Sequence, residues 1–154
     1  MWDSAMYTDA NAPFSSEFWA AGDRVLLYRG VPAVIKCTAQ LTQEPRRWND
    51  DPKQALTCTI TSPQLIEWVQ SLEAWLAPQL KGEFRSAAKA NLFSEQFVRG
   101  KLLDDVRLFD ATGARTQNAP ATGTMCQFLL QPRLYAMNGQ TGVSIKVLAM
   151  QPKT

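Results

Sequence analysis

No histidine occurs among the 154 residues. That absence excludes imidazole general acid–base catalysis, His-containing zinc sites and every Ser-His-Asp or Cys-His arrangement. Cysteine is scarce: Cys37, Cys58 and Cys126 lie far apart, in odd number and without CxxC spacing. They read as small buried thiols of a reducing compartment, not as a disulfide framework or a metal site. No apolar run approaches the ~18 residues of a membrane span. Residues 1–10 carry Asp3 and Asp9 but no apolar segment of a signal peptide. A soluble, intracellular protein with no membrane partner is expected. Gly-rich phosphate loops are missing. The remaining magnesium candidates are Asp104, Asp105, Asp110 and Glu95, and the adjacent Asp pair would point to opposite faces of a strand. The chain is therefore read as non-enzymatic, with no metal and no cofactor.

A hydrophobic share of 45% is enough to close the core of one domain, and charged residues make up only 19%. The charge is unevenly placed. Residues 1–80 carry a balance of −3 and residues 81–154 a balance of +5, so the net +2 hides a basic C-terminal half. Alone, this bias favours a nucleic-acid partner weakly.

Residues 1–22 mix Asp, Asn, Pro and Ser with Trp2, Tyr7, Phe14, Phe18 and Trp19. They read as an irregular arm whose aromatics pack on the domain or on another subunit. Residues 23–154 read as a single domain. Residues 24–43 are extended, interrupted at Gly30-Val31-Pro32, and residues 42–53 (TQEPRRWNDDPK) are expected to form a loop. Residues 55–60 make a short strand. Ser62-Pro63 opens a helix over about 62–81, with Ser as cap, Pro in the first turn and Leu65, Val69, Leu72, Leu76 and Leu80 at helical spacing. Residues 83–103 are ambiguous: Ala87 to Ala90 favours helix, and residues 97–103 favour a strand. Strands follow at 106–110 and 125–135. Asn138-Gly139 signals a hairpin, after which Val143, Ile145, Val147 and Ala149 alternate with Ser144, Lys146, Leu148 and Met150. The pattern predicts a mainly β protein, an OB-like five-stranded Greek-key barrel with one inserted amphipathic helix and a terminal β-hairpin; an α+β sandwich is the alternative.

Two places carry candidate binding chemistry. On the strands, Arg107, Phe109, Gln127, Gln131, Arg133, Tyr135 and Lys146 form a face of cations, rings and amides. In the loop, Arg46 and Arg47 adjoin Trp48, with Lys53 nearby; Asp50 and Asp51 partly neutralise this segment. Single-stranded nucleic acid is gripped by just such pairs, bases stacking on rings and phosphates meeting Lys and Arg. Arg46, Arg47, Lys53, Arg107, Arg133 and Lys146 are the expected phosphate contacts, and Trp48, Phe109 and Tyr135 the expected stacking platforms.

The run from Lys101 to Gln151 resembles the C-terminal part of the OB-fold single-stranded DNA-binding proteins of DNA phages and large DNA viruses. The resemblance is carried by Asp110 to Gly113, Pro120 to Gly123, Asn138 to Val143 and Ala149 to Gln151, about a third of the chain. It implies sequence-tolerant binding of single-stranded DNA in replication, recombination or repair, with homo-oligomerisation and replication or recombination proteins as partners. It also implies the host cytoplasm as location if the protein is phage-encoded. The end of this sequence, Gln151-Pro152-Lys153-Thr154, lacks the acidic tail by which many such proteins recruit partners. A structural or assembly protein, oligomerising through the aromatic arm, is the alternative function.

Overall fold

A computed structural model describes residues 6–47 and 50–153. Five long strands, β1 (Ile35–Arg47), β2 (Leu56–Thr61), β3 (Gln96–Leu102), β4 (Met125–Met137) and β5 (Gln140–Pro152), form the barrel. Antiparallel ladders join β4 to β1, β1 to β2, β2 to β3 and β4 to β5. Parallel pairing of Ile145 with Gly100 and Lys146 with Lys101 closes β5 onto β3. The one α-helix among the described residues, α1 (Pro63–Leu76), is inserted between β2 and β3. This is the expected OB-like architecture.

The helix starts where its sequence says it should. Ser62 is extended, its Oγ accepts the Leu65 N–H at 3.3 Å, and Pro63 occupies the first turn, where its missing N–H leaves no donor orphaned. Leu65, Val69, Leu72 and Leu76 are buried against the barrel, and a short 3-10 turn at Ala77–Gln79 ends the element ahead of the expected boundary. Glu73, on the same helix, accepts hydrogen bonds from the Ser86 hydroxyl and from the Ala87 N–H at 2.6 Å, latching the segment before β3 to α1. Burial pushes its carboxyl above the ordinary range, only partly countered by those two donors.

The β4–β5 hairpin turns on two residues, Asn138 at φ 53° and Gly139 at φ 77°. Left-handed backbone at both central positions matches the twist of the strands and explains the Asn-Gly pair.

Three expectations are corrected. Residues 42–47 do not loop: they extend β1 across β2 as far as Arg47, and irregularities between Leu41 and Gln43 and between Gln43 and Arg46 absorb Pro45. Ala88–Ala90 is a strand paired with Gln96–Val98, so ladder pairing overrides the helix preference of alanine. A register shift leaves Leu148 unpaired against β4, which turns Met150 into the barrel and Ala149 outward, the reverse of simple alternation.

The segment read as an arm is attached to the domain. Thr8–Asp9 pairs with β1, and Trp19–Ala21 pairs with Leu26–Tyr28. Phe14 stands edge-on to Trp68 of α1 with centroids 5.3 Å apart, and Trp19 lies 5.7 Å from the same indole.

Candidate nucleic-acid interface

Alternation sets the outer wall of the barrel. In β3 (QFVRGKL), Val98, Gly100 and Leu102 are buried, so Phe97, Arg99 and Lys101 face outward. In β2, Cys58 and Ile60 are buried and Thr57, Thr59 and Thr61 share that outer face. Cross-strand register then aligns side chains around the barrel. Arg46 stands opposite Thr57, Thr57 opposite Lys101, Lys101 beside Lys146, and Lys146 opposite Gln131. A second row runs from Gln43 through Thr59 to Arg99. Side chains opposite one another on one face lie about 5 Å apart, so these rows are contiguous polar strips.

The strips are pre-ordered by hydrogen bonds. With the Gln43 amide turned so that its nitrogen donates to the Thr59 hydroxyl at 3.0 Å, its oxygen accepts from Arg46 Nε at 2.9 Å. The Thr42 and Thr61 hydroxyls are 3.1 Å apart. The guanidinium carbon of Arg99 lies 5.7 Å from the Phe97 ring centroid, within cation–π range. Apart from Arg46, these residues, with Gln40, Asn91, Glu95 and Gln96, line an open groove of 450 Å³.

The expected site residues scatter over more than this wall. Arg46 is on it and exposed. Arg47 is half-buried and its Nη1 donates to the Gln54 carbonyl at 2.6 Å, closing the loop between β1 and β2. Lys53 sits exposed in that loop, its backbone N–H bound to Asp51 at 3.0 Å. Trp48 lies outside the described residues. Lys146 is in the first row, but its side chain is only 11% exposed and its Nζ lies 2.9 Å from Asp105 Oδ2. Arg133 is exposed on β4 opposite Ser144.

Tyr135 is half-buried across β4–β5 from Gly142, where a Cβ would come within 2.8 Å of its hydroxyl; the ring leans into the space the glycine leaves. Arg107 is half-buried on the short strand Arg107–Phe109, opposite Ala149 of β5.

Phe109 needs correction. It is 6% exposed and packs with Leu129 and Ala149 in a small second cluster outside the barrel, against Tyr7, Val34 and Leu148. Its outward position in the strand meets other side chains instead of solvent, so it presents no open ring face.

Sequence reasoning missed Phe97, Arg99 and Lys101 as a set. Their signal was present: a ring and two cations at every second position, interleaved with small or apolar residues. Two of the acids weighed as magnesium ligands, Asp105 and Asp110, are otherwise engaged. Asp105 pairs with Lys146, whose hydrogen bond holds its carboxyl below the ordinary range. Asp110 accepts the Thr112 hydroxyl, and the Ala114 and Thr112 N–H groups at 3.0 and 2.9 Å, which lower it likewise. Among the described residues no cluster of three acidic or thiol groups is placed to hold a metal, and no helix is long and apolar enough to cross a membrane.

The fold has likenesses among solved proteins. The single-stranded DNA-binding protein of bacteriophage Enc34, in complex with ssDNA, superposes with a TM-score of 0.58 at 10% identity, over 88% of this chain and 94% of that one. The single-stranded DNA-binding protein gp2.5 of bacteriophage T7 gives 0.52 at 9% identity, over 80% and 87%. This chain shares their fold. The resemblance first met in short C-terminal motifs thus extends through most of the molecule. No protein-family model matches the sequence, and no curated protein matches it.

Proposed function

We propose that this protein binds single-stranded DNA, without catalysis and without sequence preference, along the outer wall of β1, β2 and β3. The observation that carries the reading is the pair of register rows that set Arg46, Arg99 and Lys101 beside the Phe97 ring on one rigid face. Rigid strands hold cations at fixed spacing for successive phosphates, while a ring offers any base a surface to stack on, which is why such a wall is sequence-tolerant. In OB barrels generally, the face of the second and third strands and the adjoining loops bind oligonucleotides. The fold likeness to two phage proteins that are named for binding single-stranded DNA supports the same reading.

Arg133 extends the cationic strip around β4, Lys146 adds to it only where Asp105 releases it, Lys53 adds to it from the loop between β1 and β2, and Tyr135 offers its remaining edge. Arg47 stiffens that loop. The biological setting in this reading is DNA replication, recombination or repair inside the cell, with protein partners of those processes and self-association on the strand.

The test is fluorescence titration with oligo-dT at two salt concentrations, alongside duplex DNA and RNA. Three phosphate contacts release counterions with a logarithmic salt slope of about −2 for a single strand. The paired substitution Arg99→Ala and Lys101→Ala is expected to weaken oligo-dT binding by about tenfold, because two charge-assisted contacts are lost. Absence of any association at low salt rejects the proposal.

A further inference from the structure

Beyond the barrel wall, one feature stands at its end. The short strand Ala88–Ala90 pairs with the start of β3, and the five residues between them form a turn that projects from the sheet. At its tip Leu92 is fully exposed and Phe93 is 83% exposed. Two consecutive large apolar side chains this exposed are unusual; single exposed ones are ordinary.

The turn is fixed despite its exposure. The Asn91 side-chain oxygen accepts the Phe93 N–H at 2.8 Å and the Glu95 N–H at 3.1 Å. The Asn91 N–H donates to the Glu95 carbonyl and the Ser94 N–H to the Asn91 carbonyl, each at 3.0 Å. Ser94 takes φ 62°, a left-handed conformation that the four bonds hold in place. The side chains are thus presented on a stiff tip.

The tip adjoins the wall without being part of it. Asn91 and Glu95, at its base, line the same groove as Thr59, Phe97 and Arg99. Lys89 stands opposite Phe97 in the adjoining ladder, so cations flank the approach on both sides of the ring. A polyanion following the wall is therefore directed onto the apolar tip.

We propose that Leu92 and Phe93 form a wedge that enters the junction where single-stranded DNA on the wall meets duplex, separating the terminal base pair. Apolar side chains of this kind insert between base steps and unstack them when backbone contacts hold the nucleic acid in place. Fixation of the turn matters because a tip that yielded would not displace a stacked base. The wedge rests on the single-strand binding proposed above, and it gives the tip a role of its own. The tip opens duplex at a fork, where the wall alone only captures strands already open.

The experiment uses the full chain and a short duplex with an oligo-dT tail, carrying a fluorophore and quencher at the junction. Strand-separation rate is measured at protein concentrations that saturate the tail. The double substitution Leu92→Ser and Phe93→Ser leaves the barrel untouched. It is expected to keep oligo-dT affinity and thermal midpoint while slowing separation by about tenfold, the ring-conserving Phe93→Trp retaining the rate. Unchanged separation by the double variant overturns the wedge and leaves the single-strand reading standing. Loss of oligo-dT affinity in step with separation also overturns it, because the tip is then an ordinary stacking contact. If the double variant separates normally but no longer captures a protein from an extract, the tip is a protein-docking knob and the wedge is again overturned. If the unaltered protein fails to bind oligo-dT at all, the underlying reading falls first, and the wedge with it.

Discussion

Asp105 is the residue at which the wall's electrostatics are decided. It sits in the excursion between β3 and the strand Arg107–Phe109, two segments that pair in parallel with successive parts of β5. From there its carboxylate reaches back over the sheet to Lys146, and Arg133 adds to the field that lowers its protonation range. A phosphate entering the row between Lys101 and Gln131 meets a site already holding an anion. Because the carboxyl is held below the ordinary range, lowering the pH into that ordinary range does not release Lys146. Substitution does. Asp105→Asn is expected to tighten oligo-dT binding severalfold and to steepen the salt slope by about 0.7, the share of one additional phosphate contact on a single strand. Titration at a series of salt concentrations checks both. An unchanged slope means that Lys146 contributes no contact even when uncovered.

Barrel closure is an element-scale event, and it hinges on Gly100. A Cβ there would lie 2.6 Å from Val147 Cγ2, 3.4 Å from Ile60 Cδ1 and 3.5 Å from Cys58 Sγ. β3 can approach β5 closely because this position carries no side chain. Gly100→Ala is expected to destabilise by about 1–3 kcal/mol through overpacking, with Val147→Ala in the same chain recovering part of the loss. Urea denaturation of the two variants reads it. A neutral Gly100→Ala would mean that the β3–β5 contact is looser than the register implies.

Closure also explains what could be read in advance. Ser62-Pro63 and Asn138-Gly139 act through their immediate neighbours, so the helix start and the hairpin were legible in the sequence. The path of β1 through Pro45 and the face reversal at Leu148 were not, since bulges break the two-residue period on which strand reading depends. The wall was half legible for a related reason. Alternation marks Lys146 and Arg133 as outward, but only the pairing of β3 with β5 places Lys101 beside Lys146. Phe109 misled because the outward side of an edge strand is not always solvent: a second layer, Tyr7 and Val34 among it, covers that ring.

At the scale of the whole molecule, the aromatic arm decides between a strand binder and an assembly protein. Were its rings reserved for a neighbouring subunit, they would stand free of their own domain. Instead Phe14 lies between three indoles, 5.3 Å from Trp68, 5.6 Å from Trp19 and 6.2 Å from Trp75, and Trp19 is buried. The arm thus packs on Trp68 and Trp75 along one flank of α1, and its strand Thr8–Asp9 adds to the edge of β1. Removing residues 1–22 uncovers Trp68 and Trp75, so the truncated chain is expected to lose stability and to aggregate. The single substitution Phe14→Ala asks the same question more gently. It removes a half-buried ring from an aromatic cluster, at a cost of about 2 kcal/mol. Its effect is expected on the urea midpoint, with sedimentation behaviour and oligo-dT affinity unchanged. A Phe14→Ala protein that keeps its midpoint but sediments as a smaller species than the parent would return the arm to an intersubunit role and favour the assembly reading.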